Sequence, residues 1–389
     1  MKRAIILLLD GVGCGELPDA NLYNDIGSNT LQNLADKISG LDLPNLESLG
    51  LGNIIQLKGM KKLELSAASY GKMAEMSAGK DSTSGHWELM GVVLKKPFPV
   101  YPHGFPAEII KEFEKQIRRK TIGNIPASGT AIINQLGDKH IQTQSPIVYT
   151  SADSVFQIAA HEDVIPLAEL YQMCLVARKI LTGKHNILRV IARPFTGKPG
   201  NFIRTKNRKD FSLKPPRPTL LDIAKQNSYE VVLIGKLDEL FAHQGYTVAW
   251  HSVDNQVCFN MTLQAIDKYK QGIIFTNFIQ FDMDWGHRND CASFYQGLQD
   301  FDQRLPEIVK KLSDDDILFI TADHGNDPTT KSTDHSREYV PLLVYGKNIN
   351  SSINLGIRKS FADLGQTIAE YLQLPSLAYG TSFYKEIKL

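Results

Sequence analysis

The sequence predicts an α/β protein: a mostly parallel sheet flanked by helices, with a smaller α/β domain inserted into it. Three observations carry this. Short, uninterrupted apolar runs recur along the chain, helical periodicity lies between them, and two proline-rich breaks set off a middle segment.

The first run, residues 4–9, ends in Asp10-Gly11-Val12-Gly13. An apolar run closed by turn residues reads as a strand buried on both faces, as in parallel sheets. Runs at 147–149, 187–192, 231–234, 273–281 and 317–321 read the same way. Phe294, Leu298, Phe301, Leu305, Ile308 and Leu312 recur at three- and four-residue steps and predict an amphipathic helix. Strands alternating with helices argue for a parallel sheet. The breaks are Lys95-Lys96-Pro97-Phe98-Pro99, running on to Pro102, and Lys214-Pro215-Pro216-Arg217-Pro218. Insertions are tolerated at exposed loops whose ends lie close. The expected organisation is a discontinuous core, 1–98 with 218–389, and an inserted cap, 99–217.

Composition narrows the function. The 389 residues carry 43 Lys+Arg against 42 Asp+Glu, a net charge of +1, which argues against a dedicated nucleic-acid binder. A 42% hydrophobic content can fill a core. Cys14, Cys174, Cys258 and Cys291 are far apart, so neither a disulfide framework nor a thiolate zinc site is expected. The apolar run behind Met1-Lys2-Arg3 is too short for a signal peptide, and no stretch of about 18 apolar residues suggests a membrane span. A cytoplasmic protein with no membrane or evident protein partner is expected.

The chemistry gathers at strand ends. Asp10 follows the first run, Asp282 and His287 follow the run 273–281, and Asp323-His324 follow 317–321, with Asp334-His335 shortly after. Ligands of open α/β sheets bind at the carboxyl ends of the strands, so these residues can converge. Three carboxylates and three imidazoles without thiolates suit two divalent ions of the Zn or Mn type, a device for in-line displacement at phosphorus. Taken singly, each also reads as a helix cap or a surface histidine. A second signal is Gly79-Lys80-Asp81-Ser82-Thr83-Ser84-Gly85-His86-Trp87-Glu88, with three hydroxyls between glycines. A hydroxyl there is either a nucleophile activated by a metal or base, or a capping group bonded to backbone. Asp81 reads as a further acid of the site or a turn residue.

A basic stretch, Arg204, Lys206, Arg208, Lys209, Lys214 and Arg217, reads as a solvated mobile loop or as a phosphate clamp. Arg189 interrupts an apolar strand, where a buried guanidinium needs a partner, and Lys236 is a strand-end charge. Gly11, Gly13 and Gly15 do not match the G-x-G-x-x-G spacing of dinucleotide sites; they more simply let backbone pass close to a metal site.

With these stretches gathered, the chain resembles the phosphopentomutases of the alkaline phosphatase superfamily along its whole length. The resemblance rests on Asp10-Gly11-Val12-Gly13, the 79–88 stretch, Tyr149-Thr150-Ser151-Ala152-Asp153-Ser154-Val155, Gly200-Asn201-Phe202, 282–287, 321–327 and 334–341. It implies an alkaline-phosphatase-like core with a cap, two divalent ions of the Mn type, and interconversion of pentose 1- and 5-phosphates. It implies one ion on Asp10, Asp323 and His324, and the other on Asp282, His287 and His335. The phosphorylated hydroxyl is the residue after Lys-Asp, usually Thr in the family and here Ser82, with Thr83 as the alternative one position on. Asp153, Arg189, Lys236, Arg204 and Arg208 fall at substrate-binding positions. A sugar bisphosphate is implied as activator, and small pentose phosphates as substrates. A phosphatase, a sulfatase-like hydrolase or a phosphoglycerate mutase on the same core, or a sugar-phosphate sensor, would share the metal residues.

Overall fold

The computed structural model describes residues 1–389 except Ala152, which falls in one of the stretches that carry the resemblance. Its strands are β1 (Arg3–Leu9), β2 (Ser69–Met73), β3 (Ile122–Pro126), β4 (Ile147–Thr150), β5 (Val155–His161), β6 (Arg189–Lys198) and β7 (Asn201–Arg204). They continue as β8 (Lys209–Ser212), β9 (Val231–Ile234), β10 (Val248–Trp250), β11 (Gly272–Phe278), β12 (Asp316–Thr321), β13 (Val340–Tyr345) and β14 (Asn354–Arg358). The chain forms two compact units, Met1–Lys96 with Pro215–Leu389, and Pro97–Lys214.

The larger unit holds an eight-stranded sheet in the order β10-β9-β11-β1-β12-β13-β2-β14. From β10 to β12 the strands are parallel; β13 runs antiparallel to both β12 and β2. Every residue of β1, β11 and β12 is buried, which is why these segments read as continuous apolar runs. Arg3 pins the start of β1 to β12 through a paired contact with Asp316, at 2.8 and 2.6 Å. Register does the rest: Leu9 lies opposite Phe278 and Leu8 opposite Thr321, so all three chains leave the sheet at one edge.

Two elements depart from the expected limits. The run 273–281 stops pairing at Phe278, and Phe281–Trp285 forms one π-helical turn. Phe281 is apolar because it packs against Trp285 and Phe294, not because it belongs to the strand. The strand expected at 187–192 starts at Arg189 and continues through Pro194. Pro194 has no N–H to give, and its carbonyl accepts from Thr205 N at 3.0 Å. The amphipathic helix spans Cys291–Lys311, with Asp290 accepting from Ser293 N at its start.

The smaller unit has a sheet in the order β3-β4-β5-β6-β7, with β8 also paired to β6. Phe156, Ile158 and Ala160 of β5 face a core with Phe113 and Met173, from helices Ala107–Ile117 and Leu167–Ile180. Ala159 faces the other core, with Ile132 and Ile133 of helix Gly129–Thr143. This two-sided burial is the α/β pattern in miniature. Among the described residues no helix is long and apolar enough to cross a membrane.

Candidate active site

Three strand ends build the site. Asp10 follows β1, is 2% exposed, and accepts from Asn277 Nδ2 at 2.7 Å through Oδ2. Asp323 lies two residues past β12 and accepts from Gly11 N at 3.2 Å through Oδ1. Asp282 is the second residue of the π-turn after β11, where Asn326 Nδ2 donates to Oδ1 at 2.6 Å. Gly11 is required here: its φ is +75°, and a Cβ would sit 3.0 Å from the Asn326 Cβ.

The imidazoles face these carboxylates. His324 Nδ1 lies 3.0 Å from Gly325 O, a carbonyl that only accepts, so Nδ1 carries a hydrogen and Nε2 is the nitrogen that faces the carboxylates. That Nε2 is 3.1 Å from Asp323 Oδ2 and 3.5 Å from Asp10 Oδ1. His287 is fixed alike: Nδ1 donates to Thr333 O at 2.6 Å, and Nε2 lies 3.2 Å from Asp282 Oδ2. His335 Nε2 lies 3.2 Å from Asp282 Oδ1.

Carboxylate oxygens and imidazole nitrogens thus converge. Asp10 Oδ1, Asp323 Oδ2 and His335 Nε2 are buried and have no hydrogen-bond partner among the described residues. Burial, then the Asp323 and Asp282 charges, push the Asp10 carboxyl well above the usual range. Burial pushes Asp282 and Asp323 the same way, yet the facing imidazoles outweigh it and hold both low. Burial disfavours charge on His287, His324 and His335, and the facing carboxylates overcome it and raise all three. Such a set of oxygen and imidazole donors fits divalent cations. The donor atoms of Asp282, His287 and His335 lie within 4.8 Å of one another. So do those of Asp10, Asp282 and His324, and those of Asp10, His86 and Asp323.

The hydroxyl cluster meets this site through helix Ser82–Leu89. Asp81 caps the helix, accepting from Thr83 N and Ser84 N at 3.1 Å each, which makes it a capping residue and not an acid of the site. The three hydroxyls then part company. Ser82 Oγ points to His324 Nε2 at 3.0 Å, Thr83 is buried, and Ser84 Oγ lies 3.1 Å from Glu75 Oε1 and 2.8 Å from Asp81 O.

The remaining candidates are dispersed. In the smaller unit Arg189 is one-third exposed and lies 3.9 Å from Asp153 and 3.8 Å from Asp210. Arg208 also engages Asp210, at 2.7 Å, and Arg204 ends β7. The basic stretch is therefore not a loop throughout: it enters β8 at Lys209, whose ammonium lies over the Tyr171 and Phe211 rings. Lys236 belongs to the larger unit, two residues past β9.

Sequence reasoning passed over Asn277, Asn326 and His86. Asn277 is a polar residue inside an apolar strand, a signal that was readable. His86 sits one helical turn below Ser82 and is fully buried, with Nδ1 2.7 Å from Ser82 O and 3.0 Å from Asp323 Oδ2.

Residues 2–376 match the model of the metalloenzyme superfamily. The chain is 59% identical over 388 residues to a phosphopentomutase of Dictyoglomus turgidum, covering 100% of this chain and 98% of that one. It is 58% identical over 387 residues to a phosphopentomutase of Acetivibrio thermocellus, covering both chains completely. A solved phosphoglycerate mutase of Leishmania mexicana shares the fold at 10% identity, with a TM-score of 0.50 over 98% of this chain and 97% of that one.

Proposed function

The chain belongs to the metalloenzyme superfamily and, within it, to the phosphopentomutases, and from that premise we propose how its own residues carry the reaction. It is an isomerase that moves a phosphoryl group between the 1- and 5-positions of a pentose. Ser82 is the phosphoryl carrier. The observation that carries this reading is the 3.0 Å contact of Ser82 Oγ with His324 Nε2, amid the unpartnered oxygens of Asp10 and Asp323.

The sugar hydroxyl attacks phosphorus on phospho-Ser82 in line; the P–Oγ bond breaks and a pentose 1,5-bisphosphate forms. The bisphosphate turns over, Ser82 Oγ attacks its other phosphoryl group, and the product leaves with the remaining one. Asp10, Asp323 and His324 would hold one divalent ion, and Asp282, His287 and His335 the other. Such ions lower a hydroxyl's pKa and offset charge on the transferring oxygens. We assign them as Mn2+, in keeping with nitrogen and oxygen donors and no thiolate. The start of helix Ser82–Leu89 presents a positive dipole end, which favours a phosphoryl group on Ser82. Arg189, Arg204, Arg208 and Lys236 are the cations we assign to the substrate's phosphate, with Asp153 on its sugar. A sugar bisphosphate primes the enzyme by phosphorylating Ser82.

The test is incubation with Mn2+ and a sugar bisphosphate, followed by peptide mass mapping. A phosphoryl group on Ser82 is expected. Its appearance on Thr83 would move the assignment by one residue, and its absence from the 80–86 peptide of active enzyme would end it.

A further inference from the structure

Arg337 is an unusual charge to bury. It is 3% exposed and stands two residues past His335. Its guanidinium continues the sheet by other means. Pairing between β13 and β2 ends at Val340 and Met73, and beyond that point Arg337 takes over the facing segment. Nη1 donates to Glu75 Oε2 at 2.7 Å, Ser77 O at 2.8 Å and Gly79 O at 2.6 Å; Nη2 donates to Glu75 O at 3.0 Å. Asp19 holds the other edge of the fork at 3.1 and 3.2 Å. The Arg337 N–H donates to Asp25 Oδ2 at 2.9 Å, and Asp25 also takes Lys80 Nζ at 3.0 Å.

One guanidinium thus grips residues 75, 77 and 79, the extended lead into Ser82. Glu75 passes the hold onward. Its Oε2 takes Arg337, and its Oε1 lies 3.1 Å from Ser84 Oγ, in the first turn of the helix that begins at Ser82. The chain Arg337–Glu75–Ser84 is buried throughout, where hydrogen bonds to charged groups are strong and directional.

We propose that Arg337 is a positioning residue for phosphoryl transfer: through Glu75 and Ser84 it sets where the Ser82 hydroxyl stands relative to the segment that carries His335. This rests on Ser82 being the phosphoryl carrier. A misplacement of about 1 Å costs roughly 100-fold in rate, so the signature is a slower chemical step, with metal affinity kept.

The test follows phosphoryl appearance on the Ser82 peptide after mixing with saturating sugar bisphosphate and Mn2+. It uses the wild type, Arg337→Lys, Ser84→Ala and the double variant, with Mn2+ affinity from calorimetry and melting temperature alongside. Arg337→Lys should be slower by about 100-fold and Ser84→Ala by about 10-fold, with Ser84→Ala keeping Mn2+ affinity within about threefold. The double variant should be no slower than Arg337→Lys, because the two residues act through one chain. Should Arg337→Lys not fold, Glu75→Gln takes its place. Wild-type rates in Ser84→Ala, or multiplying losses in the double variant, would overturn the proposal. An unphosphorylated Ser82 in the wild type would instead overturn the assignment it rests on.

Discussion

Ser82 Oγ lies 3.0 Å from His324 Nε2, although the two residues are 242 positions apart. The contact is enforced by backbone as well as by side chains. The helix carrying Ser82 presses so closely on the strand end carrying His324 that a Cβ at Gly85 would sit 2.1 Å from Asp323 O. Nucleophile and candidate ligands therefore share one closely packed junction.

Ser82→Ala should lower kcat by at least about 1,000-fold while leaving Mn2+ binding intact, because the hydroxyl acts in chemistry and belongs to neither metal set. Thr83→Ala should stay within about 10-fold of wild type, since Thr83 is buried and its N–H is already held by Asp81. Steady-state turnover and calorimetry on both variants decide. The reverse ranking would make Thr83 the carrier.

Gly85→Ala tests the junction directly. The added methyl meets backbone, which cannot swing aside as a long side chain would. Overpacking of this kind costs about 1–3 kcal/mol, and relief requires the helix to shift away from Asp323. Urea denaturation should show the loss, and kcat should fall beyond what the stability change explains. A variant with wild-type kcat would mean that the junction tolerates such a shift.

Much of this junction was readable in the chain. Runs such as 4–9 and 231–234 are strands because burial on both faces removes polar alternation, and parallel register carries Asp10, Asp282 and Asp323 to one edge. The end of β11 was not readable, since hydropathy cannot separate a strand residue from Phe281, which is apolar in order to pack on Phe294. Nor were Glu75 and Arg337. They are ordinary surface residue types whose meaning arises only when folding brings together positions 262 apart in the chain.

Stripped of divalent ions, the protein should lose thermal stability as pH rises above 6.5. His287, His324 and His335 have folded-state pKa values raised above their ordinary 6.5, with the facing carboxylates overcoming burial. A raised histidine contributes stability that is fully present below the unfolded value and is lost as pH rises through the folded one. With Mn2+ the trend should reverse, because the ion takes imidazoles without their protons and stabilises more as they are released. Melting temperatures between pH 6 and 9, with chelator and with Mn2+, check both halves. A chelated protein that gains stability across this range would contradict the reading.

Glu338 offers a second pH dependence, from a buried carboxyl. Burial pushes its carboxyl from 4.5 up to about 7, against the hydrogen bonds that favour charge. Its Oε2 accepts from Gly15 N and Thr30 N at 3.1 and 2.9 Å, and its Oε1 from the Thr30 and Ser336 hydroxyls at 2.8 and 2.7 Å. The folded value is raised, so this stability is fully present below pH 4.5 and is lost as pH rises through about 7. The loss at pH 8 is about 3 kcal/mol. Glu338→Gln does not titrate. Its amide oxygen can keep the two N–H donors, and its NH2 can face the two hydroxyls, which rotate to accept. The stability of the Gln variant minus that of the wild type should therefore grow by up to about 3 kcal/mol between pH 4.5 and 8. Histidine contributions are common to both proteins and cancel in that difference. Urea denaturation at pH 5 and pH 8 measures it. A difference that stays constant would show that the four donors keep Glu338 charged throughout, and that its burial carries no pH-dependent cost.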